Sequence, residues 1–327
     1  MPANFTSGWF GNNEAAWHGQ GIVTQGTLPA GEAFQAANAL FPIEKRELLS
    51  RRSEGFVCGD SLAYIAEPSG VYEIFRTDTQ KLLGVVSKDY EIIENKALLR
   101  MAEFIREEVD MDSVIVLSNG SKVCFTATLR HATKEVLPGD TVKRRLVGWL
   151  GHDGKTGCGA MFTTVRVVCE NTFVIAQKEN SAKVSIIHKK GANENFDNLI
   201  SSINVARESF NQEVETMKAL SEISINQDVF KEYLERVYDQ DIPKGKSIYD
   251  LRKYPSIKRA YHFGLGSEMG AGTLWNALNA VTQVETSPKV GTAKQRNATF
   301  TKANFGSGID RSRKAVSIAT KMLDQLV

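Results

Sequence analysis

The spacing of apolar positions changes twice along the chain. Residues 1–50 are rich in Gly and Asn and contain one helix-like stretch, GEAFQAANAL (31–40). Short apolar runs follow: FVC (56–58), LAYIA (62–66), VYEIF (71–75) and LLGVVS (82–87). Thr77-Asp78-Thr79-Gln80 separates the last two, and the β-branched and aromatic residues flanking it predict a hairpin connection. Asn95 is placed to cap a helix over KALLRMAEFIREE (96–108), where Leu98, Leu99, Ala102, Phe104 and Ile105 roughly follow helical spacing.

Strand signals dominate the middle. SVIVLS (113–118), Asn119-Gly120 and SKVCFTATLR (121–130) predict two strands joined by a type I′ turn, because Asn-Gly accepts the positive φ angles that such a turn needs. TVKRRLVGWL (141–150) predicts a third strand, leading into the turn signal His152-Asp153-Gly154. AMFTTVRVVC (160–169) predicts a fourth, and NTFVIAQ (171–177) a short helix capped by Asn171.

From about residue 192 the pattern is helical. FDNLISSINVARESFNQEVETMKALSEI (196–223) puts Leu199, Ile203, Ala206, Phe210, Val214 and Met217 on one stripe. Helices are also predicted over 229–240, 273–285 and 309–327, the last with Ser307 and Asp310 as a capping-box-like start. The segment IYDLRKYPSIKRAYHF (248–263) is basic, rich in Tyr and interrupted by Pro255. The fold class expected is α+β: an antiparallel β-meander packed with helices, followed by a helical C-terminal part. Residues 1–190 would form the α+β core with its central sheet. Residues 191–327 would form the mainly helical part with a basic loop, packed on the core as one unit.

The 327 residues, 42% of them hydrophobic, suffice for a large core. No apolar run reaches the roughly 18 residues of a membrane span. The first residues lack the charged start and apolar centre of a signal peptide, so no membrane association and a cytoplasmic location are expected. Four dispersed cysteines without a CxxC pair argue against a disulfide scaffold or a zinc ribbon. Net charge is only +2, yet it is unevenly distributed. Residues 1–121 carry −7, residues 122–169 carry +5, residues 170–240 carry −4 and residues 241–327 carry +8. Two basic blocks alternate with two acidic ones.

Candidate chemistry is sparse. The five histidines are scattered, and His152-Asp153 with Cys158 reads better as a turn held by Asp-Gly than as a metal site. Cys169 beside Glu170-Asn171 superficially offers a nucleophile, but it continues an apolar alternation. GLGSEMGAG (264–272) precedes a helix without the GxxxxGK[ST] pattern, leaving a flexible connector or a backbone contact to an anion. The acidic residues at the end of the 96–108 helix read as a solvated face. No catalytic residue, cofactor or metal is assigned.

The basic meander remains: Lys122, Arg130, Lys143, Arg144, Arg145 and Arg166 lie in strands or at their ends, a candidate track for a phosphodiester backbone. The C-terminal block adds Lys244, Lys246, Arg252, Lys253, Lys258 and Arg259, with Tyr249, Tyr254 and Tyr261 interleaved. A loop free of acidic residues (286–308) then carries Lys289, Lys294, Arg296 and Lys302. The nucleic-acid-binding residues expected are the six of the meander and the four of this loop.

Five blocks in order, AAWHGQG (15–21), FRTDTQKLLGVVSKDYEIIEN (75–95), HDGKTGCGAMFTTVRVVCENT (152–172), GTLWNALNAVTQ (272–283) and FGSGIDRSRKA (305–315), resemble the phage/plasmid-like family of domain-of-unknown-function proteins carried on bacteriophages and mobile elements. More remotely, a basic strand meander followed by a helix is similar to the core of single-strand annealing proteins, including the eukaryotic recombination mediators and the phage Red-type annealers. That resemblance implies rings or filaments that hold single-stranded DNA in a basic groove without ATP, here in a bacterial host's cytoplasm. It transfers no individual residue. The expected function is therefore ATP-independent binding of single-stranded DNA and its annealing or recombination by a homo-oligomer, with the charge blocks also serving contacts between subunits. The alternatives are a non-catalytic oligomeric interaction or structural protein of a phage or plasmid, and a nuclease or hydrolase using Cys169, His152 or the Glu-rich helix.

Overall fold

In the computed structural model, residues 5–12, 20–58, 61–168, 171–173, 183–186, 210–287 and 307–326 are described. Eleven strands are found there: β1 (Phe5–Phe10), β2 (Ile22–Val23), β3 (Ile43–Cys58), β4 (Ser61–Arg76), β5 (Lys81–Ser87), β6 (Val109–Leu117), β7 (Lys122–Leu137), β8 (Asp140–Gly151), β9 (Cys158–Arg166), β10 (Asn171–Phe173) and β11 (Lys183–Ile186). The helices are α1 (Ala30–Ala36), α2 (Asn95–Phe104), α3 (Phe210–Glu222), α4 (Gln227–Val237), α5 (Tyr254–Phe263), α6 (Leu274–Thr286) and α7 (Ser307–Leu326). The class is α+β, with an antiparallel meander and a helical C-terminal part.

The main sheet has the order β10-β9-β8-β7-β6-β1-β2, with β11 also paired to β9. Strands β6 to β9 run antiparallel in sequence. Their alternation sorts the side chains. Val114, Val116, Val123, Phe125, Leu146, Leu150, Ala160 and Phe162 face a core completed by Phe34 of α1 and by Leu98 and Met101 of α2. Ile115, Leu117, Cys124, Val147, Trp149 and Met161 form a second cluster with Phe10 and with Ile309 of α7. All of β9 is buried, Thr163, Thr164 and Arg166 included, so it shows no alternation of buried and exposed positions.

Strands β3, β4 and β5 form a separate three-stranded sheet. β3 and β4 pair from Ile43↔Arg76 to Cys58↔Ser61, whereas β5 borders only Val71–Arg76. Beyond Val71 the hairpin therefore continues as a two-stranded arm. The predicted connection at 77–80 is present: Gln80 adopts φ 53°, and its Nε2 donates to the Thr77 carbonyl at 2.7 Å.

α6 is the axis of the helical part, with every residue but Val284 buried. Around it pack Val214 and Met217 of α3, Tyr233 and Leu234 of α4, Ile257 of α5, and Ala315, Val316 and Ala319 of α7, in one core that also takes in Val136 and Val142 at the far ends of β7 and β8. The helix starts are chemically specified. The side chain of Asn226 accepts from the Val229 amide at 2.9 Å, and that of Thr273 from the Asn276 amide at 3.2 Å. Pro255 lies in the first turn of α5, where its missing N–H costs nothing, so it opens a helix instead of breaking one.

Several local expectations are corrected. The 171–177 segment holds a strand, β10, antiparallel to the end of β9, because that edge offers backbone groups with which Asn171–Phe173 can pair; residues 174–177 lie outside the described residues. Asn95 is the first residue of α2, not its cap; its side chain donates to the Phe41 carbonyl at 3.3 Å and bonds His152. Asn119-Gly120 belongs to a longer turn in which Ser118, Asn119 and Gly120 all have positive φ. Of the stripe predicted over 196–223, Leu199, Ile203 and Ala206 lie outside the described residues, while Phe210, Val214 and Met217 are buried in the helical core.

Gly84 of β5 illustrates how closely the two sheets meet. A Cβ there would stand 2.6 Å from the His152 carbonyl oxygen and from the Asp153 backbone carbon. Gly84→Ala is expected to lower stability by about 1–3 kcal/mol through overpacking. Gly26→Ala, where a Cβ meets nothing within 4 Å, should stay within about 0.5 kcal/mol of the parent. Urea midpoints of the two variants check this.

Candidate nucleic-acid interface

Two cations of the meander, Arg144 and Arg166, are engaged inside the protein. Arg144 lies on the inward side of β8 with Leu146, and both it and its partner Glu213 of α3 are almost fully buried. Thr164 completes the set, accepting from Arg144 Nη1 at 3.2 Å and donating to Glu213 Oε2 at 2.9 Å. Arg166 is equally buried and grips Asp140 with two hydrogen bonds, Nε to Oδ1 at 2.6 Å and Nη2 to Oδ2 at 2.7 Å. The indole of Trp275, on α6, donates to the same Asp140 carboxylate at 2.8 Å. Both sets join the sheet to the helical part.

The other sheet cations are partly neutralised. Arg145 pairs with Asp112 at 3.0 Å, where the Thr128 hydroxyl also donates. Arg130 meets Asp110 at 2.8 Å and the Glu107 carbonyl at 3.1 Å, and Lys122 stands 3.5 Å from Asp153. Lys143 is half-buried and makes no ion pair among the described residues. Arg144 and Arg166 are thus corrected from surface cations to interior ones: strand alternation turns them inward, where buried carboxylates pair with them. Lys289, Lys294, Arg296 and Lys302 lie outside the described residues.

The glycine-rich 264–272 loop proves to be a cation cradle. The carbonyls of Leu265 and Gly266 accept from Arg166 at 3.3 and 2.8 Å, so the loop presents oxygens to a guanidinium rather than amides to an anion. Gly266 has φ 72°, and a Cβ on it would stand 3.0 Å from Arg166 Nη2 and 2.8 Å from Val168. Only glycine meets both demands.

The His152 turn is likewise structural. Its ring bonds the Asn95 side chain at 2.9 Å and packs edge-on against Phe41. Burial draws the Asp153 carboxyl upward, but the amides of Thr156 and Lys155, the Thr156 hydroxyl and Lys122 outweigh it and hold the group below the usual carboxylate range. The thiol of Cys158 is pushed up to about 12 by burial, as is that of Cys124, leaving neither as a thiolate nucleophile at neutral pH. Cys169 lies outside the described residues. Among the described residues, no group of three or more His, Cys, Asp or Glu could hold a metal ion. No helix there is long and apolar enough to cross a membrane.

Available positive charge gathers instead around α5. Lys244, Lys246, Arg252, Lys258 and Arg259 are exposed, and none forms an ion pair among the described residues. Exposed aromatic rings accompany them: Tyr249 is 58% exposed and Phe263 82%. Nearby acids are partly occupied. Glu285 takes two hydrogen bonds from Lys253 and one from Tyr238. Asp250 accepts from the Ser247 amide and hydroxyl, which hold its carboxyl below the usual range. Glu268 is exposed. The interleaved Lys and Tyr of 244–263 signalled this surface in the sequence; the apparent break at Pro255 hid that half of it is one helix.

Removing one partner of a buried pair leaves a charge uncompensated. Glu213→Ala and Asp140→Ala are each expected to cost about 3–5 kcal/mol, whereas Lys122→Ala, at a partly exposed pair, should cost no more than about 1 kcal/mol. Chemical denaturation of the three variants measures the contrast.

No curated protein and no solved structure matches the chain. A family described as a domain of unknown function (DUF932) matches residues 82–304, a span running from β5 to the edge of α7 and including the paired arginines, the Arg166 cradle and the α5 surface. The chain belongs to that family.

Proposed function

We propose that the protein binds single-stranded nucleic acid through its phosphate backbone, without ATP, and that its seat is the surface around α5. The observation that carries this reading is the cluster of five exposed cations without ion pairs, Lys244, Lys246, Arg252, Lys258 and Arg259, set among exposed aromatic rings. Cations neutralise phosphates and release counterions, while rings such as Tyr249 and Phe263 offer faces on which unpaired bases stack. Paired bases inside a duplex cannot reach such faces, which favours single strands. The basic stretch 286–308 continues the block in sequence and supplies four further cations.

Annealing or recombination of DNA for a phage or other mobile element is the biological role proposed, supported by the resemblance of the sequence blocks and by the ATP-independent chemistry of such a surface. Assembly into a ring or filament belongs to the same reading. The β3–β4 arm, whose β3 edge has no partner strand among the described residues, is the element best placed to bridge copies.

Replacing Arg252, Lys258 and Arg259 together by Ala should weaken binding to an oligo-dT strand at least about tenfold at 0.1 M salt and reduce the salt slope by about 2. Replacing Lys122 and Arg130 together should leave both nearly unchanged. Fluorescence anisotropy across a salt series measures this. Equal binding by the triple variant and the parent contradicts the assignment, and loss only in the Lys122/Arg130 variant returns the site to the sheet.

A further inference from the structure

The same surface contains a cleft of about 250 Å³ between the start of α4 and one face of α5. Tyr254, Lys258, Tyr261 and His262 line it from α5, at the i, i+4, i+7 and i+8 positions of a single helix face. Phe230 and Gln227 line it from α4. The rings of Phe230 and Tyr261 are stacked, with centroids 4.2 Å apart and planes 20° from parallel. Tyr249 meets Tyr254 edge-on at 5.1 Å, giving that ring a fixed neighbour. The carbonyl of Tyr261 accepts from the Asn276 side chain at 2.8 Å, tying this wall to the buried helix α6.

An aromatic stripe at helical spacing ordinarily faces a core. This one does so only in part: Tyr254 and Tyr261 are half-buried, and Lys258, His262 and Gln227 are exposed at the rim. Apolar walls with a few convergent polar groups are the composition of a small-ligand site. The volume falls below the roughly 300 Å³ at which pockets for drug-sized ligands begin, which suits a single ring system rather than a whole dinucleotide.

We infer that this cleft receives one unpaired base of a bound strand. The base stacks on the tyrosine rings, Gln227 hydrogen-bonds its edge, and Lys258 with His262 meets the flanking phosphate. The inference rests on the strand-binding reading above and adds to it a specific contact with a base, where that reading requires only phosphates and general stacking.

The test compares an oligo-dT strand with an abasic strand of equal length and charge, in a salt series, using the full chain. A second abasic strand carries a single 2-aminopurine whose fluorescence reports stacking. The parent protein should bind oligo-dT roughly tenfold or more tighter than the abasic strand and quench the 2-aminopurine. Tyr254→Leu should reduce the preference to about twofold and remove the quenching, with the salt slope for the abasic strand unchanged. Lys258→Gln, at an exposed position that does not threaten folding, should lower the salt slope and keep both the preference and the quenching. Equal affinity of the parent for the two strands without quenching overturns the pocket while leaving backbone binding intact. Preference and quenching that persist in a folded Tyr254→Leu variant also overturn it. The absence of salt-sensitive binding to either strand removes the backbone reading, and the pocket with it.

Discussion

The structure turns on the buried pairing of Arg166 with Asp140. A guanidinium and a carboxylate, both withdrawn from water, are costly unless each finds its full set of partners. Asp140 at the start of β8 and Arg166 at the end of β9 come from neighbouring strands, so the pair forms only in the observed register. Trp275 of α6 and the carbonyls of Leu265 and Gly266 complete it from the helical part. A helical part docked a few ångströms away would take Trp275 and the two carbonyls with it, leaving the Asp140–Arg166 pair short of hydrogen-bond partners. Arg144 with Glu213 and Thr164 repeats the constraint beside α3. The polar junction thereby orients a helical part whose apolar contacts alone are non-directional.

This pairing also changes the meaning of the charge segregation. The basic middle block meets the acidic N-terminal block through Arg145–Asp112 and Arg130–Asp110, and the acidic 170–240 block through Arg144–Glu213. Complementarity between blocks is thus realised in part within one chain. The C-terminal block is treated differently. Lys253, Arg311 and Lys314 are paired with Glu285, Asp241 and Asp239, whereas Lys244, Lys246, Arg252, Lys258 and Arg259 remain exposed and form no ion pair among the described residues. What distinguishes a surface able to take a polyanion is the surplus left after the internal pairs are formed.

The fold was legible where local pattern and burial agree. Strands β6 to β9 carry strong apolar signals because the main sheet is covered on both faces, and helices were legible over 229–240 and 273–285, where α4 and α6 lie. β3 was hidden because much of it, Glu44–Glu47 and Ser50–Glu54, is charged or polar and shows no regular apolar alternation. β10 was misread because pairing with the β9 edge, rather than any local preference, decides its conformation. For the site, the cations were visible but their partners were not. Arg145, Arg166 and Arg144 find their carboxylates 33, 26 and 69 residues away, separations that no local pattern reports. One clue was available: Arg144 shares the parity of Leu146 and Leu150, the inward face of β8, and this marked it for the interior.

The central claim is that nucleic acid meets the protein at α5 and not on the sheet. Lysine footprinting by acylation and mass spectrometry, with and without a single-stranded oligonucleotide, addresses it residue by residue. Lys244, Lys246 and Lys258 should be protected by the strand, while Lys122 and Lys143 label as in the free protein. Protection of Lys122 and Lys143 with unchanged labelling around α5 would contradict the account.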